Sequence, residues 1–144
     1  MDKLSSKCAD FRRTALAAII VAMSLAWPAA AADDGPDGGA LADRLGVVFG
    51  RSMTHWRYDY SKMPDRRAGV ACIPWARLDP AFLDSAIFDA LGFSYSVATD
   101  KAAIRIATQG CNQMKAHYKL TDCACELVLI GDAVVVTIPA DSND

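Results

Sequence analysis

Three hydrophobic rhythms divide the chain. Between Thr14 and Trp27 (TALAAIIVAMSLAW) every side chain except Thr14 and Ser24 is apolar, so this run has no polar face. Leu41, Leu45, Val48 and Phe49 recur at helical spacing and predict a helix from Ala40 to about Met53, with Asp37 as its cap and Gly46 and Gly50 weakening it. A second helical stripe comprises Phe82, Leu83, Ala86, Ile87, Ala90 and Leu91, while Asp84, Ser85 and Asp89 face away. Asp79-Pro80 starts that helix, because Asp accepts from free amide hydrogens and Pro at the first helical position forfeits no bond. Gly92 is read as its left-handed cap. A third helix, capped by Thr99 or Asp100, carries Ala103, Ala107, Cys111, Met114 and Tyr118 on one stripe and ends near Leu120.

The remaining rhythm has period two. Gly69 to Ile73 (GVACI) is a short β-prone run closed by Pro74, and Phe93, Tyr95 and Val97 alternate with Ser94, Ser96 and Ala98 as a half-buried strand. CACELVLI from Cys123 and AVVVTI from Ala133 flank Gly131-Asp132, a two-residue turn suited to a hairpin. In the first of these strands Cys123, Cys125, Leu127 and Leu129 share the core face, and Glu126 points the other way. The expected fold class is α+β: a small disulfide-stapled domain with an antiparallel sheet, two to three helices and a C-terminal β-α-β-β order.

The first rhythm is a targeting segment. Lys3, Lys7, Arg12 and Arg13 precede the apolar run, Pro28 breaks it, and Ala30-Ala31-Ala32 before Asp33 supplies small residues for cleavage. At 14 residues the run is short against the ~20 needed to span a bilayer. Residues 1–32 are therefore expected to be a signal peptide, 33–39 (DDGPDGG) a flexible leader, and 40–144 a single α+β domain, periplasmic or secreted, with no membrane span after processing. Cys8 lies before the apolar run, the wrong place for a lipoprotein cysteine.

That division changes the charge and the cysteine count. The whole chain has 15 Lys+Arg against 17 Asp+Glu; without residues 1–32 the balance is 11 against 15, a net charge of −4. No basic footprint for nucleic acid exists. Five cysteines become four, Cys72, Cys111, Cys123 and Cys125, an even set that reads as two disulfides in an oxidising compartment. Cysteines two apart on an extended strand diverge too far to bridge, which excludes Cys123 with Cys125. Of the two connectivities left, the favoured one joins Cys111 to Cys125 and Cys72 to Cys123; the other exchanges the partners.

The stretch FSYSVA, then KAAIRIATQGC, then CELVLIGDAVVV resembles small exported bacterial domains of unknown function, whose order is strand, Ala-rich helix, Cys, spacer, Cys, hairpin. The resemblance covers Phe93 to Ile138 and implies a cysteine pair at Cys111 and Cys125. It supplies no catalytic residues, and Cys72, Cys123 and the segment before Trp75 lie outside it.

Sequence chemistry offers three functional readings. No nucleophile elbow, P-loop, dinucleotide fingerprint or H-E-x-x-H occurs, and Asp37, Asp79, Asp100 and Asp132 sit at caps and turns, so a cell-wall hydrolase is poorly supported and no cofactor is expected. A periplasmic copper-binding or thiol-redox protein is the alternative, with Cys111, Met114, His117, Cys123 and Cys125 as soft ligands. Steps of three rotate His117 well away from Cys111 on a helix, which weakens that set. The preferred reading is a non-catalytic binding or accessory protein acting through an aromatic-basic surface: Arg51, His55, Trp56, Arg57, Tyr58, Tyr60, Arg66 and Arg67, with Lys62 among them and Trp75 nearby. Flat aromatics beside cations suit a cell-envelope polymer or a protein partner.

Overall fold

The computed structural model describes residues 36–140. The expected signal peptide, Cys8 and the part of the expected leader before Pro36 lie outside the described residues. Helix α1 spans Pro36–His55, strand β1 Ala68–Ile73, helix α2 Pro80–Ser85, strand β2 Leu91–Ser94, helix α3 Asp100–His117, strand β3 Ala124–Ile130 and strand β4 Ala133–Val134. Short 3-10 turns occur at Tyr60–Lys62 and Trp75–Arg77. The four strands form one antiparallel sheet in the order β2-β1-β3-β4. The class is α+β, with three helices among the described residues and two disulfides, in line with the expected two to three helices and with the even cysteine set.

Every residue of β1 is buried, because the sheet is covered on both faces. Ala71 and Ile73 join Leu45, Val48, Phe49 and Met53 of α1 and Leu83 of α2 in one core. Ala68, Val70 and Cys72, which point the opposite way along the strand, join Ala103, Ala107 and Cys111 of α3 in another. Two glycines permit this close layering. A Cβ on Gly69 would lie 2.4 Å from the Phe49 ring, and one on Gly92 would lie 2.0 Å from the Ala107 carbonyl oxygen.

The caps of α2 and α3 follow the sequence reading. The Asp79 carboxylate accepts the Phe82 N–H at 2.7 Å, and the Thr99 hydroxyl accepts the Ala102 N–H at 3.1 Å. Several boundaries differ. Helix α1 begins at Pro36 rather than Ala40, since proline is compatible with the first helical turn, so part of the expected leader is helical and Asp37 lies inside the helix. Helix α2 stops at Ser85, six residues before the apolar stripe ends. The reason is a distant hydrogen bond: the Ala90 carbonyl accepts the Cys72 N–H at 2.8 Å, which draws this segment alongside β1. Gly92 consequently sits in β2 beneath α3 and caps nothing. Strand β2 ends at Ser94, and Ser96 turns the chain with φ 55°.

Strand β3 also departs from simple alternation. Gly69 pairs with Leu129 but Val70 pairs with Leu127, so Val128 is an extra residue, a β-bulge. Cys123, Cys125 and Leu127 face α3 as expected, whereas Leu129 crosses to the α1 core. Regular pairing in β4 is confined to Ala133 and Val134, extended by one bond from the Val135 N–H to the Val128 carbonyl.

Candidate functional site

The aromatic-basic segment separates into residues that build the fold and residues that face outward. Arg51 donates to the Ala86 carbonyl at 2.9 Å and to the Leu83 carbonyl at 3.4 Å, satisfying the free carbonyls at the end of α2. Tyr60 is buried edge-on against Phe49, with ring centroids 5.4 Å apart, and the Arg67 guanidinium lies 5.3 Å above its ring. Arg67 is itself buried and donates to the Met63 carbonyl and to the exposed Asp132 carboxylate. Its own carbonyl accepts the Gly131 N–H at 2.9 Å, so Arg67 secures the β3–β4 turn twice. Trp75 is half-buried against the α1 core. Arg51, Tyr60, Arg67 and Trp75 are thus engaged in packing, because each has a partner inside the domain that the sequence does not reveal.

The titrating groups of this segment show the same division. Burial raises the Tyr60 phenol to about 12. The exposed Asp59 carboxyl is lowered to about 2, chiefly by the Ser61 hydroxyl and then by Lys62, whose ammonium is 2.9 Å away.

The outward residues gather where α1 ends. The Arg57 N–H donates to the Thr54 carbonyl and the Tyr58 N–H to the Met53 carbonyl, both at 2.9 Å, which is a Schellman closure. Arg57 occupies its left-handed position with φ 65°, a place usually held by glycine. This closure directs Tyr58 onto Phe93 of β2, with centroids 4.8 Å apart, and Phe93 lies 6.5 Å from the nearly parallel ring of Tyr95. Tyr58 and Tyr95 remain 49% and 48% exposed, so the three rings form a solvent-facing ledge beside an edge strand. Trp56 and His55, edge-on to one another at 5.6 Å, occupy the same helix end.

The ledge is bordered by unusual backbone. Arg66 and Ser96 both have φ 55°, the Ser96 N–H reaches the Asp65 carbonyl at 3.4 Å, and the Arg66 guanidinium donates to the Ala98 carbonyl. With Arg57, these are three of the four non-glycine residues at positive φ among the described residues. Such conformations cost about 1–3 kcal/mol each and cluster at ligand clamps. Phe93 and Tyr95 are the members that the sequence reading assigned to a buried strand face. Their shared parity, two residues apart, is the signal that places them on one side; the pairing of β1 with β2 brings Tyr58 to them.

The cysteines form a second cluster. Cys72 is bonded to Cys123 and Cys111 to Cys125. The Sγ atoms of Cys72, Cys111 and Cys125 lie within 4.8 Å of one another. Met114 packs against the same core as the cysteines, where its Sδ accepts the Leu91 N–H at 3.4 Å, while His117 packs edge-on to Tyr118 and lies outside the sulfur group. Ligation of a soft metal by these cysteines requires thiolates, and their four sulfurs are held as disulfides. A hollow of about 600 Å³ lies along the start of α3, lined among the described residues by Thr99, Lys101, Ala102, Ile104 and Arg105. These five belong to one short stretch of chain, from the cap into the first turns of α3.

Among the described residues no helix is long and apolar enough to cross a membrane. Comparison of the chain with protein-family models, characterised proteins and solved structures gives no match, so its function has to be argued from these residues themselves.

Proposed function

We propose that this protein is an extracytoplasmic binding or accessory module that meets its partner through the ledge of Tyr58, Phe93 and Tyr95. The observation that carries this reading is the run of three neighbouring rings, two of them about half exposed, bordered by Arg57, Arg66 and Ser96 at positive φ. Isolated exposed aromatics are ordinary, whereas a connected row offers large contact area at little conformational cost. Two disulfides support a working place outside the cytoplasm, since such bonds persist in oxidising compartments. A saccharide polymer of the cell envelope is the favoured partner: the near-parallel rings of Phe93 and Tyr95 suit stacking under sugars, and Arg57 supplies donors at the rim.

Co-sedimentation with insoluble peptidoglycan tests this. The purified protein is expected to pellet with the polymer, and the double variant Tyr58→Ala, Tyr95→Ala to lose at least about tenfold in affinity, the equivalent of 1.4 kcal/mol, without a change in melting behaviour. Equal sedimentation of the two proteins would remove the ledge from the binding surface. Failure of the wild type to pellet, together with crosslinking of one defined protein from position 95, would replace the polymer with a protein partner.

A further inference from the structure

The two disulfides lie close enough to act on each other. Cys72 and Cys125 are directly opposed in the register of β1 and β3. Opposed residues on antiparallel strands have Cα atoms about 4.5–5.5 Å apart, inside the range a disulfide bridges. A bond between Cys72 and Cys125 therefore needs side-chain rotation and no movement of the strands. The Cys72 sulfur is already within 4.8 Å of both Cys111 and Cys125.

The cluster also has an inner and an outer side. Cys72 and Cys111 are 2% and 0% exposed, whereas Cys123 and Cys125 are both half-buried; of these two, Cys123 lies nearer the surface segment, before β3 begins and directly after the exposed Thr121 and Asp122. Lys115 donates to the Cys123 carbonyl at 2.6 Å, fixing an ammonium beside this outer cysteine. A cation there favours the approach of an incoming thiolate.

We propose that these four cysteines form a thiol–disulfide exchange site whose substrates are small-molecule thiols, with Cys123 as the attacked sulfur and Cys72 as the relay. The incoming thiolate bonds to Cys123 Sγ, the Cys72–Cys123 bond breaks, and Cys72 leaves as a thiolate. Cys72 then bonds to Cys125 Sγ, the Cys111–Cys125 bond breaks, and Cys111 leaves as a thiolate that takes up the proton lost by the incoming thiol. One thiol is consumed and one is produced, with no net oxidation. The products are a mixed disulfide at Cys123, a new Cys72–Cys125 bond, and free Cys111. The exchange moves a staple from between α3 and the sheet to between two strands of the sheet, which unties α3. The inference is independent of the aromatic ledge.

Acid-quenched peptide mapping of the full chain treated with glutathione tests the relay. The expected result is glutathione on Cys123, alkylation of Cys111 after quenching, and a Cys72–Cys125 crosslink in the same molecules. In Cys123→Ser, where Cys72 starts as a thiol, the Cys111–Cys125 and Cys72–Cys125 bonds are both expected, with at least about one tenth of the free thiol at Cys111. Glutathione on Cys123 with free thiol at Cys72 alone and Cys111–Cys125 intact would overturn the proposal. Should Cys123→Ser fail to fold, the glutathione experiment on the wild type decides by itself.

Discussion

Individual residues in the aromatic-basic segment show how strongly partners determine role. Arg66 and Arg67 are adjacent and identical in chemistry, yet one reaches across the surface to Ala98 while the other is buried over Tyr60 and bonded to Asp132. Tyr58 and Tyr60 divide in the same way, one exposed and one 7% exposed. Because burial holds the Tyr60 phenol neutral, its folded-state value of about 12 stands above its usual 10. The associated stabilisation is fully present below pH 10 and is lost as pH rises from 10 toward 12. Absorbance titration of the phenolate band is expected to show one late step near pH 12 that disappears in Tyr60→Phe. The Tyr60 hydroxyl has no hydrogen-bond partner among the described residues, so the same substitution should change stability at pH 7 by less than about 1 kcal/mol in a urea melt. A larger loss would mean that the hydroxyl is tied into the fold.

Elements were legible in the sequence where local chemistry decides them. Asp79-Pro80 and Thr99 cap helices as read, and Gly131-Asp132 turns the hairpin, because each signal acts within a few residues. The end of α2 was not legible, since the Ala90 carbonyl is claimed by Cys72, far away in the chain. Gly92 shows the same limit in sharper form: a glycine after an apolar helical stripe reads as a cap, whereas here it makes room for a helix. Gly92→Ala would place a methyl group 2.4 Å from the Cys111 nitrogen as well as against the Ala107 carbonyl, both backbone atoms that move only with α3. The expected cost is about 3 kcal/mol, at the upper end for overpacked cores, measured as a shift in the urea midpoint at constant slope. Gly50→Ala, with open space at its Cβ position, should be neutral or stabilising by up to about 1 kcal/mol.

At the scale of the molecule, the cysteine framework was legible because excluding the i, i+2 pair left two choices. The ledge was only half legible. Tyr58 and Arg57 stand out in a polar stretch, but Phe93 comes from a strand whose neighbour in space is set by β1. The bonds closing 51 and 14 residues should contribute about 4 and about 3 kcal/mol, in the chain-entropy account. Full reduction is therefore expected to lower the melting temperature by more than about 20 °C, at roughly 4–8 °C per kcal/mol for a domain of this size. A scan in strong reductant that leaves melting unchanged would show that packing alone sustains the fold.

The central position of β1 has a consequence for how the chain first acquires its bonds. Its two sheet neighbours both follow it in sequence, and β3 completes the middle of the sheet only near residue 130. During synthesis Cys72 therefore emerges well before the strand that carries its native partner, and Cys111 is the next cysteine to appear. Among the four cysteines beyond residue 32, pairing in order of emergence joins Cys72 to Cys111, a bond the folded domain does not contain. Maturation in that order requires one reshuffling event, which takes seconds to hours.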